Sequence, residues 1–229
     1  MSKRIWELDA LRGVCIAAMV LVHLIYDLAS LSYLVLPGWF RILQNWGGVV
    51  FFLISGISAT RSRRSLRRGI IVFSCGMAIT LCTAAMVLLT GSPGDIIIRF
   101  GVLHCLGLCM ILWQLFRRLS SPALLFIALI SVTTGFLLPR IPVQTELFFW
   151  LGLMPPGFSS PDYFPLLPFF GFFLLGSVSG RKLYPNGQSL LPAASGRTIS
   201  FLVFCGRHSL IIYLVHQPLL LLIFWLISH

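Results

Sequence analysis

Apolar residues run through the chain in seven blocks, at positions 11–31, 46–60, 69–89, 96–116, 122–138, 164–180 and 209–227. Several approach the roughly 20 residues that an α-helix needs to cross a bilayer, and the second and sixth are shorter. Their connectors read as turns: Gly91-Ser92-Pro93-Gly94-Asp95, Ser120-Ser121-Pro122 and Tyr184-Pro185-Asn186-Gly187. The longest connector, 139–163, holds an apolar piece at 147–154 that is too short to cross, followed by Pro155-Pro156-Gly157. That piece is expected at the membrane interface or folded back into the protein. The pattern predicts an all-α, polytopic bundle of about seven transmembrane helices. With no repeat or low-complexity stretch, 1–229 reads as a single transmembrane domain.

Composition agrees. Of 229 residues, 58% are hydrophobic and 10% charged, where a soluble domain carries about 25% charged residues. Met1-Ser2-Lys3-Arg4 precedes an apolar run too long for a cleavable signal and without an Ala-x-Ala-like site, so the first block is expected to be a retained span. The net charge of +11 would suit nucleic acid, but the basic residues sit at block ends, where they orient spans. Lipid headgroups or an anionic ligand are the better partners. Lys3, Arg4 and Arg12 flank the first block, and Arg61, Arg63, Arg64, Arg67 and Arg68 fill the second connector. Arg117 and Arg118 follow the fourth block, while Arg181, Lys182, Arg197 and Arg207 lie between the sixth and seventh. The alternate connectors hold only Arg41 and Arg140, with Asp95 and Glu146 among the acids. The positive-inside bias then puts the N-terminus in the cytoplasm and the C-terminus outside, in a multi-pass protein of the cell (inner) membrane. Cys15, Cys75, Cys82, Cys105, Cys109 and Cys205 show no paired spacing and read as buried free thiols. No metal site is expected.

In the first block and just before it stand four ionisable residues: Asp9, Arg12, His23 and Asp27. Such groups are expensive in a bilayer and usually mark a pathway or a reaction site. Arg12 and His23 are eleven residues apart, which on an α-helix brings them within about 20° of one face and separates them by about 16 Å. Asp27 lies one turn past His23 and Asp9 one turn before Arg12. A carboxylate at i+4 can orient an imidazole, and an oriented imidazole near neutral pKa can take a proton from a hydroxyl or amine attacking a thioester. Asp9 and Arg12 can pair with each other at the cytoplasmic mouth.

The run Thr60-Arg61-Ser62-Arg63-Arg64-Ser65-Leu66-Arg67-Arg68 is an orientation signal and a headgroup patch, and its arginine forks also suit phosphates. Arg99 and His104 point to different faces of the fourth block, Arg99 near its outer end and His104 at mid-depth. In the seventh, Tyr213 and His216 precede Pro218, which frees the carbonyl of Leu214. These four are the candidate cavity or acceptor-site residues.

Together these pieces resemble the membrane acyltransferases typified by the heparan-α-glucosaminide N-acetyltransferase catalytic domain and its short bacterial relatives. The likeness rests on Leu8-Asp9-Ala10-Leu11-Arg12-Gly13 with Val22-His23, Phe51-Phe52-Leu53-Ile54-Ser55-Gly56, Arg99-Phe100-Gly101-Val102-Leu103-His104, Asp162-Tyr163-Phe164-Pro165-Leu166-Leu167-Pro168, and 206–216. The first and last also resemble the acyltransferase-3 proteins that modify surface polysaccharides. The resemblance implies transfer of an acetyl group from cytoplasmic acetyl-CoA to a sugar across the membrane, with the pantetheine arm threading the bundle. Asp9, Arg12, Arg61, Arg63 and Arg64 would serve the donor, and His23 with Asp27 the chemistry. The eukaryotic enzyme has asparagine where this chain has His23, and its catalytic histidine lies in the following outer connector. Here 32–45 contains no histidine, so either His23 takes that role, as the equivalent histidine does in acyltransferase-3 proteins, or the chain does not perform that chemistry, and glucosamine of heparan sulfate is not the expected acceptor. A small transporter or flippase using the buried charges as a proton relay, or a non-catalytic partner subunit, are the rival classes. A homo-oligomer is compatible with either.

Overall fold

Long apolar blocks satisfy every backbone polar group internally only as helices, and the computed structural model, which describes residues 5–31, 34–192 and 196–228, is mainly helical, with no strand among them. Lys3 and Arg4, counted above among the orienting charges, and Ser32, the start of the first outer connector, lie outside the described residues. The helices are α1 (Trp6–Leu31), α2 (Gly38–Trp46), α3 (Gly48–Arg61), α4 (Ser65–Thr90), α5 (Val102–Phe116), α6 (Ser121–Leu137), α7 (Leu166–Leu183), α8 (Arg197–Arg207) and α9 (Ser209–Ser228). Six stretches among the described residues are long and apolar enough to cross a membrane: Trp6–Ala29, Gly38–Arg61, Ser65–Thr90, Ser121–Arg140, Leu166–Leu183 and Ser209–Ile227. The chain is thus an all-α polytopic membrane protein.

Three details depart from the sequence reading. The block at 96–116 is helical only over the 15 residues Val102–Phe116, about 22 Å of rise. Its first part is held in an irregular path by side chains described below. The connector at 32–45 contains α2, an amphipathic helix with Phe40 buried and Trp39, Ile42 and Leu43 exposed. Gly47 donates to the Leu43 carbonyl (2.7 Å) where α2 passes into α3. Finally, the connector before the last span contains α8, whose 11 residues mix polar and apolar positions too evenly to stand out as a block.

The chain divides into two compact units, residues 1–54 with 184–229, and residues 55–183. In the first, α8 and α9 both pack on α1. The α1–α8 crossing is glycine-lined: a Cβ on Gly13 would run into the Leu202 carbonyl, and one on Gly206 into the Asp9 carbonyl. Small residues are what allow helix backbones to approach this closely in membranes. The Glu7 carboxylate accepts from the Ser189 hydroxyl and, at 2.8 Å, from the Leu190 amide, tying the segment before α8 to the start of α1.

In the second unit α4 pairs with α5 and α6 with α7. Gly107 lies against the Phe73 backbone, Gly76 against the His104 ring, and Gly171 against the Ala128 carbonyl. Trp113 and Phe116 of α5 meet Phe173 and Phe170 of α7 at ring separations of 6.3 and 5.3 Å. The ends are signalled locally: Gly91 adopts φ +65° to close α4, a conformation glycine adopts without strain, and the Ser120 hydroxyl accepts from the Ala123 amide at the start of α6.

Candidate functional site

The first unit carries the ionisable cluster. Asp9 is buried, at 7% exposure, because α8 presses its backbone onto that turn of α1. Its carboxylate is fully engaged: Oδ1 accepts from Arg12 Nη1 at 2.9 Å and Oδ2 from Arg207 Nε at 3.4 Å. The Asp9–Arg12 pair expected from i, i+3 spacing therefore forms, and Arg207 joins it from the end of α8. Sequence reasoning had placed Arg207 only as an orienting charge. Its signal was the adjoining Gly206, which permits the close crossing. Trp6, Ser200, Phe204, Arg207 and His208 line a cleft of about 450 Å³ beside this cluster. Guanidiniums braced by a buried carboxylate stay charged and directional, a suitable arrangement for a phosphate.

Further along α1, His23 is half-buried and Asp27 follows one turn later. No hydrogen bond from another described residue reaches the His23 ring. No hydrogen bond joins Asp27 to that ring; its Oδ2 accepts from Gln217 Nε2 of α9 at 3.0 Å. What meets His23 is His216, ring centroid to ring centroid at 4.9 Å and inclined at 68°. His216 is buried, and its Nδ1–H donates to the Tyr213 carbonyl at 2.6 Å, since a carbonyl can only accept. The Tyr213 ring lies 5.4 Å from that of His216. Asp27, His23, Tyr213 and His216 are thus neighbours, and Gln217 is the member the sequence did not reveal.

In the second unit, Arg99 and His104 do different things. Arg99 Nη1 donates to Glu146 Oε2 at 3.0 Å and its guanidinium lies 5.4 Å over the Phe158 ring. The connector at 139–163 does fold back on the protein, with the Tyr163 hydroxyl donating to the Phe149 carbonyl at 2.6 Å. Burial pushes the Tyr163 phenol well above its ordinary pKa. His104 has both nitrogens committed. The Gly101 amide donates to Nδ1 at 3.1 Å, so the proton resides on Nε2, which meets the Thr80 hydroxyl at 3.2 Å. Thr80 in turn donates to the Ile98 carbonyl at 2.5 Å. Beside it Asp162 accepts from the Val102 amide at 3.1 Å, and the Phe164 amide donates to the Phe100 carbonyl at 3.0 Å. The Arg99–His104 and Asp162–Pro168 segments, read apart in the sequence, are one knot that starts α5. Arg61, Arg63 and Arg64 are exposed at the α3–α4 turn of this unit.

A polytopic helical protein with charged and imidazole groups inside its first span is, by class, a membrane protein built around an intramembrane polar site. Residues 4–218 match the family described as heparan-alpha-glucosaminide N-acetyltransferase, catalytic, and the chain belongs to that family, one of membrane acetyltransferases in general. No curated protein and no solved structure matches it.

Proposed function

We propose that the protein transfers an acetyl group from cytoplasmic acetyl-CoA to a hydroxyl or amine of a sugar or glycan on the extracytoplasmic face of the cell (inner) membrane. The observation that carries this reading is the layout of α1: a braced Asp9–Arg12–Arg207 cluster near its start and His23 about 16 Å further on along nearly the same face. The cluster receives the nucleotide phosphates, and Arg61, Arg63 and Arg64, exposed on the other unit, attract anionic phosphate groups such as those of lipid headgroups. The pantetheine arm spans the interval and delivers the thioester to His23. As the acceptor oxygen or nitrogen attacks the thioester carbonyl, its proton passes to His23 and the new acyl bond forms. The C–S bond then breaks, and the thiolate takes the proton back from the imidazolium, leaving CoA thiol and a neutral histidine. Asp27, one turn on, supplies negative charge near the imidazolium.

Titration calorimetry of acetyl-CoA into detergent-purified protein, wild type beside Arg12→Gln, tests the reading. Saturable binding that weakens in the variant is the expected result, and a transporter or a non-catalytic subunit predicts no saturable binding. An unchanged dissociation constant for Arg12→Gln would sink the threaded-donor arrangement.

A further inference from the structure

We propose that His216 is a positioning residue for His23, in the place the sequence assigned to Asp27. This rests on His23 acting as the base. A histidine base needs a partner that fixes its ring and decides which nitrogen is proton-free. No hydrogen bond joins the nearest carboxylate to the His23 ring, and the Asp27 Oδ2 accepts from Gln217 at 3.0 Å instead. The group set against His23 is another imidazole, and its own orientation is settled by the backbone. The Tyr213 carbonyl, 2.6 Å from Nδ1, holds His216 in the Nδ1–H tautomer, so the neutral ring carries its lone pair on Nε2.

Three consecutive features of α9 build this back wall. Tyr213 supplies the carbonyl, His216 the ring, and Gln217 the amide that pins α9 to Asp27, one turn beyond His23 on α1. The Asp27–Gln217 bond thereby sets the axial register in which the two imidazoles meet at 4.9 Å. A fixed neutral imidazole at that spacing biases His23 to turn an N–H toward it and leave the opposite nitrogen free for the acceptor's proton. When His23 becomes an imidazolium, the neutral His216 ring stands against it at that same spacing.

The test is the tautomeric state of the two rings, read by long-range ¹⁵N–¹H correlation in the full-length, ¹⁵N-histidine-labelled protein in micelles. Signals are assigned with His104→Gln, His208→Gln and His216→Asn. The wild type should show a protonated Nδ1 and an unprotonated Nε2 for His216, together with a single tautomer for His23. In His216→Asn the amide keeps a donor where Nδ1 stood but has nothing in place of Nε2, and His23 should then show both tautomers in exchange. A wild-type His216 protonated at Nε2 overturns the proposal, as does a His23 tautomer unchanged in His216→Asn. Should that variant fail to fold, His216→Gln replaces it, and the wild-type reading stands by itself. None of these spectra requires acetyl-CoA, so failure of the donor reading would show separately, as absent binding.

Discussion

His23 and His104 are both imidazoles in apolar helices, and hydrophobic pattern treats them alike. Their surroundings separate them. His104 spends both nitrogens on Gly101 and Thr80, whereas none of the described residues hydrogen-bonds the His23 ring. His23→Ala should therefore lower acetyl transfer by about 10²–10⁴ while acetyl-CoA affinity and thermal stability in detergent stay near wild type. Wild-type turnover by that variant would move catalysis elsewhere. His104→Ala should do the reverse. It strips the acceptor from a buried amide, and the melting curve should report a loss of about 1–3 kcal/mol with acetyl-CoA affinity retained. Unchanged stability would contradict the capping role. The sequence could place His23, Arg12 and Asp9 because helical periodicity alone puts them on one stripe. It did not show that Asp27 is also held from another helix, since spacing tells which side chains face each other and not which further partner arrives. Here that partner is Gln217.

At the scale of elements, the α1–α8 crossing turns composition into a site. Arg207 reaches Asp9 only because Gly13 and Gly206 let the two backbones meet. Gly13→Ala or Gly206→Ala inserts a methyl group against a carbonyl, and overpacking of this kind costs about 1–3 kcal/mol. Both variants should melt earlier and bind acetyl-CoA more weakly, because the widened crossing carries Arg207 away from the carboxylate. Full stability in either would deny the close crossing. Beyond the glycines themselves, little of this is legible in the sequence. A short helix such as α8 leaves only a weak periodic signal, and the value of a glycine depends on what lies opposite. The long apolar helices, by contrast, declared themselves through block length.

At the scale of the whole molecule, the open quantity is the number of crossings, and Val102–Phe116 decides it. Six stretches are long enough by themselves. If α5 does not cross, both chain ends share one side, and Arg117, Arg118, Arg181, Lys182, Arg197 and Arg207 all fall on the face opposite the arginines of 61–68, against the positive-inside bias. If it crosses, the ends are opposed and those residues all fall in the cytoplasm. The obstacle is that about 22 Å of helix falls short of a hydrocarbon layer of about 30 Å. The irregular run before it removes the obstacle, because non-helical backbone is tolerated at membrane depth where protein satisfies it. Thr83 accepts from the Ile98 amide, Ser160 from that of Arg99, His104 from that of Gly101 and Asp162 from that of Val102. The Ile98 carbonyl accepts from Thr80 and that of Phe100 from the Phe164 amide. Residues 98–102 can therefore lengthen the 15-residue helix into a crossing with most of their backbone polar groups held by protein. Reporter fusions at the C-terminus should accordingly be active as periplasmic alkaline phosphatase and dark as a fluorescent protein. A cysteine at position 63 on a thiol-free background should label only from the cytoplasm. A fluorescent C-terminal fusion would remove α5 from the crossings, and labelling of position 63 from outside intact cells would invert the bundle and place the donor arginines on the wrong side for cytoplasmic acetyl-CoA.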